Sequence, residues 1–343
     1  MTPHRHARRH PNPAASAALL AGLVLLFASP RAADPLPEDD DAPRIFADTS
    51  RAPTAADLGD FEVPRETPLP RTATASPGAP ERSRPATRPG RAKVRRSRPA
   101  KNPPVVLTVE SGCFQMGSRD GEGSTNERPR HRVCLDSFRL DRDPVTQGEF
   151  RDSTGSAPWS TCAGPACAHP DDLAPAWYLT WSEADGFCRK KGGTLPTEAQ
   201  YEYVLRAGDS TVYPWGPVPD SGCAYANLAD LSLARALPGW KVFPCDDREP
   251  FVGRGATRRP NRWGFRDLSG NVWEWTSDWY AADAYSRTSE RNPTGPDSGT
   301  GKVIRGGSWM TGPDGARSAY RDGFNPEGRY TGSIGFRCAY PAR

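Results

Sequence analysis

The chain has 343 residues, 36% of them hydrophobic and 25% charged, with a formal net charge of +4. Its 33 Gly and 37 Pro make up about a fifth of the sequence, which excludes a helical bundle and argues for a loop-rich fold. So small a net charge gives no footing for nucleic-acid binding, and none is expected; eight cysteines behind an export signal point to disulfides rather than to metal or redox chemistry.

Arg5, Arg8 and Arg9 precede an uncharged run from Ala14 to Ala28, the basic and apolar regions of a signal peptide expected over residues 1–33. At about 15 residues the run is short of the roughly 20 that a spanning helix needs, although an uncleaved anchor stays open. The expected location is therefore periplasmic, secreted or envelope-associated. From residue 34 to 104 the composition shifts to Pro, Ala, Thr and Arg, with an acidic block from Glu38 to Asp41. Such a segment buries too little apolar surface to order itself and reads as a disordered linker. Nine basic residues from Arg82 to Lys101 suit either an anionic envelope surface or a solvated spacer.

The folded domain is expected over 105–343. Val105, Val106, Leu107 and Val109 read as a first strand, and HRVCLDSFRLD as a second, with Val133, Leu135, Phe138 and Leu140 alternating except for one interruption. Paired as a hairpin they join Cys113 to Cys134. Three helix starts follow, each a capping box: Thr146 with Glu149, Thr180 with Glu183, and Thr197 with Gln200. The second helix stops at Gly192 and the third at Gly208, where Ala199, Tyr203 and Ala207 share one face and make Tyr203 a core residue. Beyond Gly208 turns and short strands dominate, with tryptophans supplying most of the apolar area to bury.

GCFQMGS, LPTEAQYEY, YPWG, GNVWEW, RGGSW and GFRCAY occur in this order, and together they resemble the formylglycine-generating enzyme, or sulfatase-modifying factor, family over about residues 108–340. The resemblance implies a single α+β domain, C-type-lectin-like, low in regular structure and supported by disulfides and calcium. It also implies a copper ion held by two thiolates, three and eight residues after the Ser of GGS. Here that Ser is Ser308, and the two positions hold Thr311 and Ala316. A hydroxyl is a hard neutral ligand and a methyl is none, which argues against copper and against formylglycine-generating activity.

Other relatives hold iron with histidines. Only His131 and His169 remain beyond the leader, so an iron site stays admissible but unsupported. A third branch, exported maturation proteins such as those of pyoverdine biosynthesis, resembles this chain in its leader and missing thiols. The resemblance further implies calcium at Asp267, the Gly270 and Val272 carbonyls and Glu274, with a second site at Asn227, the Leu228 carbonyl and Asp246 or Asp247. For Glu274 the alternative is burial beneath tryptophans in a pair with an arginine. Among the cysteines, Cys188 and Cys338 stand where the family carries a disulfide, while Cys162 with Cys167 and Cys223 with Cys245 are pairings by proximity.

The expected function is thus an exported module that binds an unidentified peptide, glycan or protein, or takes part in maturation, without copper-thiolate chemistry. An oxidoreductase or protein-modifying enzyme using Arg317, Tyr320 and Arg321 is the alternative, and a structural envelope protein a third.

Overall fold

The computed structural model describes residues 104–162, 167, 171–330 and 332–342. The expected leader (1–33) and linker (34–104, all but its last residue), with the basic stretch from Arg82 to Lys101, and His169 lie outside the described residues.

The first expected strand is followed by a separate short one, and the second expected strand breaks into two. β1 (Val106–Val109) pairs antiparallel with β4 (Phe138–Asp141), while β2 (Gly112–Met116) pairs with β3 (His131–Leu135), so one hairpin feeds two sheets. The interruption in the alternation, Asp136 and Ser137, is where the chain leaves one sheet for the other. Cys113 faces Cys134 in register and is bonded to it. The last strand, β9 (Ala339–Pro341), closes the first sheet against β4.

Helices α1 (Gln147–Thr154), α2 (Trp181–Lys190) and α3 (Glu198–Arg206) start at their capping boxes. Each threonine hydroxyl takes the amide of the third helical residue, and that residue's side chain takes the threonine's own amide. After α3 the left-handed turn begins one residue early, at Ala207 with φ 46°, before Gly208 at φ 83°. A fourth helix, α4 (Leu231–Ala236), interrupts the stretch expected to lack helices; Asp230 caps it through the amides of Ser232 and Leu233. Six residues are too few to show a helical period.

The second half builds a four-stranded sheet in the order β7 (Arg321–Phe324), β6 (Lys302–Arg305), β5 (Trp273–Trp279), β8 (Ile334–Gly335). Only the β5–β8 pair is parallel. Between this sheet and α1 and α2 lie Phe150, Phe187, Trp275, Ile304 and Phe336, with the Cys188–Cys338 disulfide among them. A second cluster around Val133, Leu140, Tyr201, Val204 and Phe265 fills the space behind α3, and Tyr203 joins it as expected. Cys162–Cys167 and Cys223–Cys245 complete the disulfides, and no described cysteine is free.

Candidate functional site

The centre implied by the motifs lies just past β6. Gly306 and Gly307 take φ 94° and 80°, and a Cβ on Gly307 would sit 3.1–3.2 Å from the Thr311 side chain. That turn packs Thr311 back onto Ser308: the Ser308 amide donates to Thr311 Oγ1 at 2.8 Å, and the Thr311 amide donates to the Ser308 carbonyl at 2.9 Å. The Ser308 hydroxyl in turn accepts from the Met310 amide at 3.3 Å. Ala316 is buried among Tyr213, Ala226, Leu228 and Phe243. The hydroxyl at the first expected ligand position therefore closes a local turn, and the methyl at the second fills an apolar cluster. Neither supplies a soft ligand.

The polar groups nearby are committed as well. Arg317 makes a bidentate pair with Glu127 at 2.5 and 2.7 Å, and this partner holds the Glu127 carboxyl below its usual range despite burial. Arg321 grips both oxygens of Glu198 at 2.7 and 2.8 Å and lies under the Tyr280 and Tyr285 rings. Burial pushes the Tyr320 hydroxyl up to about 12, so it stays protonated. His131 stands on β3 with its ring edge-on to Tyr285 at 4.8 Å and its Nδ1 2.9 Å from the Pro129 carbonyl. Among the described residues no group of three or more His, Cys, Asp and Glu side chains is placed to hold a metal.

The two expected calcium sets fare differently. In the first, both Glu274 oxygens accept from Arg337, at 2.7 Å each, and the same guanidinium donates to the carbonyls of Asp141, Arg142, Arg266 and Asp267. Glu274 is thus the buried partner of an arginine, and a cation would have to compete with a pair already satisfied. Asp267, at φ 49°, accepts the Ala256 amide at 2.6 Å, and burial raises its carboxyl to about 6. Gly270 and Val272 bracket the turn between them, where a Cβ on Gly270 would lie 2.2 Å from the Asn227 carbonyl.

In the second set, the Asn227 amide nitrogen donates to the Phe251 carbonyl at 2.8 Å while its buried Oδ1 has no partner. Leu228 follows in the chain and is fully buried. Asp246 is at the surface, its carboxylate on Arg235 at 2.9 and 3.0 Å. Its neighbour Asp247 is the one that points inward: buried, with Oδ2 lacking a hydrogen bond and 3.3 Å from Arg258. Burial, with the Asp230 carboxylate beside it, raises Asp247 to about 7. Asn227 Oδ1 lacks a hydrogen bond, and Asp247 Oδ2 has only the ion pair with Arg258, so these oxygens are less committed than a carboxylate saturated by an arginine. Of the two aspartates expected for this set, Asp247 points inward and Asp246 lies at the surface.

The family model for the sulfatase-modifying factor enzyme 1-like domain matches residues 91–342. The chain is 29% identical over 312 residues to the formylglycine-generating enzyme of Bos taurus, covering 75% of this chain and 79% of that one. It is 27% identical over 293 residues to a Mus musculus protein named inactive C-alpha-formylglycine-generating enzyme 2, covering 70% and 86%. A serine/threonine-protein kinase pkn1 of Chlamydia pneumoniae is 31% identical over 259 residues, 68% of this chain, and the chain spans only 37% of that relative's length. Among solved structures, PvdO from Pseudomonas aeruginosa superposes with a TM-score of 0.58 at 24% identity, covering 71% of this chain and 96% of that one, a likeness of fold.

Proposed function

We propose a function from one premise: the chain belongs to the family of the sulfatase-modifying factor enzyme 1-like domain. On our reading it is an exported member that binds a peptide, glycan or protein and has set aside copper-thiolate chemistry. The observation that carries this is the closed turn at the ligand positions, where the Thr311 hydroxyl holds the Ser308 amide and Ala316 is packed among Tyr213, Ala226 and Phe243. The cysteines point the same way, because all eight are in disulfides and none is left to serve as a thiolate. Four disulfides also favour an oxidising compartment, in keeping with the leader. A relative named as inactive shows that the family includes members for which the activity is not claimed.

Calcium on this reading is structural. Asn227 Oδ1, the Leu228 carbonyl and Asp247 would hold it, and it would tie the segment before α4 to the segment after it.

Protein isolated with its disulfides intact tests the proposal. Metal analysis should return calcium without stoichiometric copper or iron, and a cysteine-containing sulfatase peptide incubated with Cu(I) and oxygen should emerge unmodified. Peptide and glycan arrays should show saturable retention on some class of ligand. Stoichiometric copper together with an aldehyde product would overturn the reading.

A further inference from the structure

We propose that a cleft between the end of β2, the start of β3 and the loop after α3 is a binding site for an oxyanion group, with Arg130 as its anchor. The cleft is partly open to solvent, and four guanidinium groups line it, Arg119, Arg130, Arg206 and Arg317, beside the Glu122 carboxylate. Three have carboxylate partners, and the fourth does not. Arg206 Nε meets Glu202 at 2.8 Å, Arg317 meets Glu127, and Arg119 lies 3.6 Å from Glu122. Arg130 has no carboxylate within 4.0 Å among the described residues, and its Nε is buried without a hydrogen-bond partner.

The neighbouring pairs do not neutralise it. The second oxygen of Glu202 is taken by Arg305, so one carboxylate serves two guanidinium groups. Burial, followed by the like charges of Arg206 and Arg119, makes the charged form of Arg130 costly and lowers its pKa. An arginine does not escape that cost by losing its proton, since its intrinsic pKa is above 12. The remaining remedy is an anion. A planar guanidinium offers paired donors that match the oxygens of a carboxylate, phosphate or sulfate, and such charge-assisted bonds are about twice as strong as neutral ones. Ser210 and Thr211 bring further polar groups to the lining. The inference stands whether the domain binds its ligand or acts on it, because it concerns only the charged group by which a ligand is held.

The test uses the full disulfide-bonded chain at low ionic strength, titrated separately with acetate, inorganic phosphate and inorganic sulfate. Binding is read by calorimetry and by the side-chain Nε–H resonances of arginine. One saturable site is expected, with the Arg130 Nε–H resonance shifting on binding. The anion that binds most tightly identifies the source: acetate a carboxylate-bearing ligand, phosphate or sulfate a ligand carrying that ester. Arg130→Gln should weaken binding at least tenfold, and Arg130→Lys several-fold because it keeps the charge but loses the fork. Arg287→Gln, which removes an exposed charge outside the cleft, should leave affinity unchanged. Equal affinity in Arg130→Gln and wild type, or an equal loss in Arg287→Gln, overturns the proposal. Should Arg130→Gln fail to fold, the wild-type spectrum decides: a resonance that no anion moves also overturns it.

Discussion

Glu274 shows how much turns on a single partner. From the sequence it is a carboxylate at the end of a tight turn, expected as a calcium ligand with an arginine's counter-ion as the alternative, because the arginine lies more than sixty residues away in the chain. The structure supplies Arg337 with both oxygens engaged. Removing one member of a buried pair strands the other, at a cost of about 3–5 kcal/mol. Glu274→Ala should therefore unfold at markedly lower denaturant, and by the same margin in excess calcium or in chelator. A loss seen only in calcium would make Glu274 a ligand after all. The opposite pattern is expected for Asp247→Asn: wild-type protein should gain melting temperature with added calcium, as any ligand of the native state confers, and this variant should not. If both proteins respond alike, the second set holds no ion. At the centre near β6, Thr311→Val leaves the buried Ser308 amide without its acceptor and should cost about 1–3 kcal/mol in chemical unfolding. A neutral result would mean that water replaces the hydroxyl.

Elements defined by local chemistry were legible in advance, and those defined by distant partners were not. The capping boxes at Thr146, Thr180 and Thr197 fix their helices with residues three apart, so sequence alone places the starts. The split of the first hairpin into two sheets was hidden, since it depends on β9, some two hundred residues later, taking the free edge of β4. β5 was visible as a motif, whereas its parallel neighbour β8, of two residues, carries no pattern of its own. The disulfides test how such distant elements are held. Cys188 and Cys338 are separated by 150 residues and Cys162 and Cys167 by 5. In the chain-entropy model closing the long loop stabilises by about 5 kcal/mol and the short one by about 2 kcal/mol. Replacing both cysteines of the long pair by alanine should thus lower the unfolding midpoint by more than twice as much as the same change in the short pair. Equal losses would show that native packing around Phe187 and Phe336, rather than unfolded-chain entropy, sets the contribution of the bond.

Over the whole molecule, the halves are tied by charges that composition could not have revealed. α3 turns Glu198 and Glu202 inward, where Arg321 on β7, Arg305 on β6 and Arg206 meet them. On a helix wheel those glutamates read as solvent-facing, because nothing local says that arginines from the second half of the chain will cover them. Asp278 on β5 completes the group without an arginine of its own. It is buried, accepts the Glu198 amide at 2.9 Å and the Ser277 hydroxyl at 3.0 Å, and burial together with the Glu198 charge raises it from 3.8 to about 7. A carboxyl whose folded pKa exceeds its unfolded value binds its proton more tightly in the native state. Its contribution is therefore fully present below about pH 4 and is lost as the pH rises through 7. Asp278→Asn cannot titrate and can still accept the Glu198 amide. Relative to wild type, the variant should gain stability between pH 4.5 and pH 8, by at most about 4 kcal/mol for a shift of about 3 units. Urea unfolding of both proteins at the two pH values isolates the effect, since every other titrating group is common to them. Parallel pH profiles would mean that Asp278 is ionised in the folded protein at both, with Lys302, which stands at its side of the sheet, carrying the compensating charge.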